Sequence, residues 1–127
     1  MSQTARNPVP ANDRAAVLTK AVVRAAEGLG LNGGDLAAVL GVSAPTVSRM
    51  RKGVYTLDPA KKEFELGALF VRYYRSLDAI AGGAAGVRRA WVRGANTALG
   101  GAPIDLMKSV SGLTNGLAYL DARRAPL

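Results

Sequence analysis

Between Asp35 and Gly53 the chain reads Asp-Leu-Ala-Ala-Val-Leu-Gly-Val-Ser-Ala-Pro-Thr-Val-Ser-Arg-Met-Arg-Lys-Gly, and the side chains able to do chemistry crowd its second half. Arg49 can grip a guanine edge with two parallel hydrogen bonds, worth about 1–3 kcal/mol of base discrimination. Ser48 can hydrogen-bond a base or a phosphate. Arg51 and Lys52, at the end of the same segment, suit phosphates and would add salt-sensitive, sequence-independent affinity. With Ser43, Ala44, Pro45 and Thr46 at its start, the segment forms a candidate surface for duplex DNA.

Such a surface works only if two helices hold it at a fixed angle. Ala37 is small enough for a second helix to pack close beneath it, and Gly41 can adopt the left-handed backbone of a tight turn. Val42, Val47 and Met50 supply apolar anchors. Their spacing leaves Ala44, Pro45, Ser48 and Arg49 on the outer face, the face that enters the major groove in a helix-turn-helix. Two core helices with a solvated basic end would explain the charge, but not why small residue, turn glycine and anchors coincide.

The rest of the composition removes the usual catalytic equipment. The sequence has no His, no Cys and only nine carboxylates among 127 residues, so no Ser-His, Cys-His or thiolate–metal arrangement exists. No nucleophile–base pair can be named; the expectation is a non-enzyme without cofactor or metal. Seventeen basic residues against nine acidic ones give a net charge of +8, which favours a polyanion or an acidic protein surface as partner. Met1 to Asp13 is polar and Pro-containing, not a secretory leader, and no apolar run is long enough to span a bilayer. The expected location is the cytoplasm.

Hydrophobic periodicity predicts helices throughout, with no strand-like alternation beyond four residues, and so an all-α fold. Residues 1–12 read as a disordered arm. A helix capped by Asn12 or Asp13 carries Val17, Leu18, Ala21, Val22, Ala25 and Leu29 and ends at Gly28 and Gly30. The helix-turn-helix domain spans 13–57, its second helix starting at Asn32 and its third at Ser43 or Ala44. A long helix over 58–81 has Asp58 as cap and Pro59 as first residue. It is apolar on two sides, so it should be buried on two sides. Leu66, Phe70, Tyr73 and Tyr74 are candidates for a homodimer interface, unless C-terminal helices of the same chain cover them. Beyond Gly82 and Gly83 a small helical domain fills 82–127. Gly28-Leu-Gly-Leu-Asn-Gly33 spells a dinucleotide fingerprint, but a helix rather than a strand precedes it, so no cofactor is expected there.

Two stretches resemble a known family. The helix-turn-helix resembles the Xre type of regulator. Trp91-Val-Arg-Gly-Ala-Asn96, then Leu99-Gly-Gly-Ala-Pro103, Leu106, Gly116 and Tyr119-Leu-Asp-Ala-Arg123 resemble the toxin-binding domain of the Xre/MbcA/ParS antitoxins. The resemblance covers roughly residues 15 to 125. It implies a type II antitoxin whose partner is a RES-domain toxin that degrades NAD. The C-terminal domain would cover the toxin's active site while the N-terminal domain binds operator DNA and represses the shared operon. The alternative is a stand-alone regulator whose C-terminal domain dimerises or senses a ligand.

Within the C-terminal domain, Trp91, Asn96 and Pro103 read as structural: a core anchor, a turn residue and a first helical residue. Arg88, Arg89 and Arg93 are the expected exposed cations. For a toxin-blocking element the chain end is the candidate. Leu117 and Leu120 supply an apolar helix face, Asp121, Arg123 and Arg124 supply charge, and Leu127 adds a terminal apolar contact.

Overall fold

Short capping motifs set the first half of the chain, which folds as α1 (Ala11–Leu29), α2 (Gly33–Leu40) and α3 (Ala44–Arg51). Before α2, the Asn32 side chain accepts the Asp35 N–H at 2.8 Å, and the Asp35 carboxylate accepts the Asn32 N–H at 3.1 Å. This reciprocal box satisfies two orphan donors of the helix start. Gly41 follows α2 at φ +69°, the left-handed turn expected of it. Ser43 then caps α3 by accepting the Thr46 N–H at 3.2 Å, with Pro45 in the first turn.

The computed structural model describes residues 11–124, and among these all regular structure is helical. The all-α expectation therefore holds. Most of the predicted arm lies outside the described residues, but α1 already includes Ala11 and Asn12, so Asn12 and Asp13 are helical rather than capping. Gly28 also lies inside α1; the turn comes at Gly30, with φ +74°.

The long helix, α4 (Lys62–Ala81), starts later than Asp58 and Pro59 imply. Asp58 folds its side chain back onto the Ala60 N–H at 2.9 Å, an Asx turn that ends short of a helix. Its own N–H goes to the buried carboxylate of Glu63 at 3.0 Å, which also accepts the Tyr55 hydroxyl at 2.5 Å. That hydrogen bond, with burial and the Glu63 charge adding to it, pushes the Tyr55 phenol up to about 12. Leu57, fully buried, ties the same link to α1 by donating its N–H to Thr19 Oγ1 at 2.9 Å.

The second half comprises α5 (Ala85–Arg93), α6 (Pro103–Leu106) and α7 (Val110–Arg124). α4 packs against α1, α2, α5 and α7, so most of its two apolar stripes is covered within one chain, while Ile80 at its end stays exposed. Its adjacent tyrosines point to opposite neighbours, and each meets a glycine. A Cβ on Gly116 of α7 would lie 2.6 Å from the Tyr73 ring, and one on Gly28 of α1 would lie 2.6 Å from the Tyr74 ring. Glycine here supplies room. One continuous core results, joining Val22, Leu36 and Val47 to Phe70, Val92, Met107 and Leu120.

Arginines of α5 fasten this half to the end of α1. Arg88 Nε donates to the Gly28 carbonyl at 3.2 Å, Arg89 to Glu27 O at 2.8 Å and Arg93 to Gly30 O. The C-terminus of a helix offers unpaired carbonyls and partial negative charge, which guanidiniums complement. Arg88, expected exposed, is instead buried. It also pairs with Asp78 at 2.6 Å and lies 5.3 Å over the Tyr74 ring.

Candidate functional site

α3 presents its chemistry as its spacing predicts. Val47 and Met50 are buried under it, while Ser43, Ala44, Pro45, Ser48, Arg49, Arg51 and Lys52 are exposed and Thr46 is half-buried. Ser43 and Thr46 are occupied in the cap, their hydroxyls 2.9 Å apart, and Arg49 reaches Thr46 Oγ1 at 3.3 Å. Arg51 donates to the Leu31 carbonyl at 3.4 Å, which stabilises the loop before α2 and leaves most of its charge outward. Ser48 and Lys52 remain unengaged by described residues.

Two cations of this face were not legible in the motif. Lys20 and Arg24, one turn apart on α1, line a cleft of about 290 Å3 with Arg51, Lys52 and Gly53. Their i, i+4 spacing on the polar side of α1 is the available signal, but only the fold brings them to the end of α3. Four cations share this cleft with a single carboxylate, Glu27. Such a cluster can track a phosphate backbone.

The C-terminal candidates separate into covered and open groups. Leu117 and Leu120 are 5% and 1% exposed and belong to the core, so the expected apolar contact face does not exist. The reason is Gly116, which lets α7 approach Tyr73 and turns the leucines inward. Asp121 accepts the Ser76 hydroxyl at 2.5 Å and pairs with Arg72 at 3.6 Å, and Arg124 donates to Ser76 Oγ at 3.0 Å. Both are thus engaged against α4. Arg123 alone turns the other way, 5.4 Å over the Tyr119 ring and donating to its hydroxyl at 3.2 Å. Leu127 lies outside the described residues.

The expected dimer face is likewise taken up internally. Phe70 and Tyr73 are 0% and 1% exposed, buried by this chain's own α1 and α7 sides, and burial pushes the Tyr73 phenol far up. Leu66 and Tyr74 are half-buried against the same core.

Trp91 has two roles. One side packs on the core, its ring 6.3 Å from Tyr73 and stacked 6.5 Å from Tyr119. The other lines an open cleft of about 450 Å3 with Val87, Ala90, Gly94, Ala95 and Asn96. Asn96 is the expected turn residue, its side chain accepting the Leu99 N–H at 3.1 Å, and Pro103 starts α6 buried. The dinucleotide-like run 28–33 forms the end of α1 and the cap of α2, with no strand before it.

Comparison with known families finds one match in each half of the chain. A model of the antitoxin Xre-like helix-turn-helix domain matches residues 8–72, and one of the antitoxin Xre/MbcA/ParS C-terminal toxin-binding domain matches residues 76–125. No curated protein matches the chain. The two matched regions are separated inside α4 by residues 73–75, which include the Tyr73–Tyr74 pair.

Proposed function

Because this chain belongs to the Xre-type antitoxins, with a DNA-binding helix-turn-helix and a toxin-binding domain, we propose that it neutralises a RES-domain, NAD-degrading toxin by covering that enzyme's active site. In the same reading it represses its own operon through α3. The observation behind this is a pairing: an exposed cationic recognition helix shares one core with a domain matched to toxin binding. The family resemblance supplies the RES identity of the toxin.

On DNA, Arg49 and Ser48 read base edges, and Arg51, Lys52, Lys20 and Arg24 neutralise phosphates. Ser43, Ala44, Pro45 and Thr46 set the helix start against the groove. A homodimer belongs to this reading, since one helix-turn-helix covers one half-site and pairing across a palindrome gives useful affinity. Its interface is not the buried Phe70–Tyr73 surface. Both partners place the protein in the cytoplasm, and no described helix is long and apolar enough to cross a membrane.

On the toxin, the blocking element is the end of α7, with Arg123 as its exposed guanidinium and Leu127 beyond it in sequence. Asp121 and Arg124 act by holding that end to α4. The experiment is co-expression with the product of the adjoining gene, followed by size-exclusion with light scattering and an NAD-consumption assay. A stable complex with suppressed NAD loss is expected; a toxin with no NAD-consuming activity would overturn the RES identity. Cutting after Tyr119 would delete core Leu120 and unfold α7, so a chain ending at Arg124 is the appropriate truncation. It should bind the toxin yet lose part of the rescue.

A further inference from the structure

The row of rings between α5 and α7 carries more than a packing role. Trp91 is the only tryptophan of the chain, and its outer side faces a cleft instead of core. At the cleft mouth Val87 is 53% exposed. A core anchor alone has no need of an open apolar surface on its far side, and a rimmed apolar patch of this kind marks an interaction site. Trp91 stacks on Tyr119, and Arg123 lies over the Tyr119 ring, so tryptophan, tyrosine and arginine form one contiguous row that starts at the cleft. These are the residue types that concentrate binding energy.

Charge defines the partner. Arg72, Arg88 and Lys108 are paired with Asp121, Asp78 and Asp35. Arg93 and Arg123 donate only to neutral oxygens, the Gly30 carbonyl and the Tyr119 hydroxyl, and neither forms an ion pair among the described residues. Around α5, at 100° per residue, Arg93 stands beside Ala90 at the cleft edge. The surface is therefore apolar at its centre and cationic at its rim, with Arg123 and Arg93 held by neutral oxygens and, in the case of Arg93, with the Asp35 charge nearby.

Resting on the antitoxin reading above, we propose that the toxin docks here, seating an apolar side chain in the Val87–Trp91–Asn96 cleft with flanking carboxylates on Arg123 and Arg93. The contacting toxin segment is thus an acidic one with an apolar residue at its middle. Tyr119 and Arg123 stand on the last turns of α7, so a toxin seated on this cleft meets the end of that helix. Docking on the cleft and occlusion by the end of α7 then meet at Arg123.

The test uses the full chain and the purified product of the adjoining gene in calorimetric titrations. Val87→Glu alters an exposed side chain, leaves the core intact and should weaken binding about 30-fold or more. Arg123→Glu should weaken it about tenfold and flatten its salt dependence. Val110→Glu, exposed on the opposite side of α7 in the same domain, should bind as the parent does. With 5-fluorotryptophan incorporated, the chain gives one fluorine resonance, which should shift when unlabelled toxin is added. Parent-like binding by Val87→Glu and Arg123→Glu, with an unmoved resonance in a formed complex, would overturn the docking surface alone. So would a Val87→Glu effect confined to self-association of the chain. A parent chain that fails to bind the toxin at all overturns the antitoxin reading itself, and the surface with it.

Discussion

α3 presents Ser48 and Arg49 from an eight-residue helix, with Lys52 at its C-cap, and the cap, turn and anchors all lie within the same short run of sequence. The α5–α7 face is assembled differently. Trp91 and Tyr119 come from separate helices and meet because Gly116 admits Tyr73 between α4 and α7. In the first region local capping chemistry decides which side chains face solvent. In the second, which residues are free depends on what covers what across the whole chain. The contrast has an energetic side too: the DNA surface should tolerate substitution without loss of fold, whereas the toxin-side surface is tied to the common core.

The largest effect should therefore come from a glycine far from any partner. Gly116→Ala drives a methyl into a fully buried tyrosine ring, which cannot swing away. Overpacking of this kind should cost about 3 kcal/mol. Urea denaturation should show one transition at lower denaturant for both halves, because they share a core. Two separated transitions would break the comparison by showing that the halves fold independently. Gly28→Ala, against the half-buried and more yielding Tyr74, should cost less.

Arg88→Ala should follow, at about 2 kcal/mol, since it strips a buried guanidinium from Asp78 and from the carbonyl end of α1. Asp78 is 37% exposed and can rehydrate, which keeps the loss below that of a fully buried pair. Thermal melting is sufficient to measure it. No change would mean that Val92, Trp91 and the carbonyl contacts of Arg89 and Arg93 suffice to hold α5.

Arg88 also marks where sequence reading stops. Helix periods, the start of the second helix near Asn32, the Gly41 turn and the outer face of α3 were all legible, because each is written in residues a few positions apart. Even Asn96 and Pro103 were readable as turn and helix start. The inward turn of Leu117 and Leu120 was not, because an amphipathic stripe does not say whether its cover lies in the same chain or in a partner. The charge pattern of α5 had the same ambiguity. Basic residues on a helix face look solvated until another helix's carbonyl end is placed against them. Asp58-Pro59 misled for a local reason: an Asx turn and a helix cap share the same letters, and the buried Glu63 selects between them.

On the DNA side the expected effects are smaller and do not touch stability. Arg49→Ala should cost about 1–3 kcal/mol at one base pair of the operator and little on random duplex. Lys52→Ala should weaken binding to all sequences alike and lower the salt slope by about one. Mobility shifts across a salt series separate the two. If Arg49→Ala also lowered the melting temperature, α3 would be coupled to the core more tightly than its exposure indicates.

The smallest effect bridges the two regions. Lys108, just after α6, reaches Asp35 of α2 at 3.0 Å. Burial opposes the Asp35 charge, but the hydrogen bond from Lys108, the Asn32 N–H and the positive charges of Lys108 and Arg93 outweigh it. They hold the carboxyl below its ordinary 3.8. A folded value below the unfolded one means stability that is fully present above the unfolded value and lost as pH falls through the folded one. Asp35→Asn keeps an oxygen for the Asn32 N–H, so the cap survives and only charge is removed. The variant should be about 0.5–1 kcal/mol less stable than the parent at pH 7 and low salt. That gap should close as pH falls below 3.8, where the parent's carboxylate is also being neutralised. Lys108 is held above its ordinary 10.5 mainly by the Asp35 hydrogen bond, against the effect of burial, so its contribution is lost only at more alkaline pH. Urea titrations from acid to neutral pH measure the difference directly. A gap that stays constant across that range would assign the Asp35 contribution to hydrogen-bond geometry in the cap, and would leave the carbonyl contacts of α5 as the electrostatic tie between the halves.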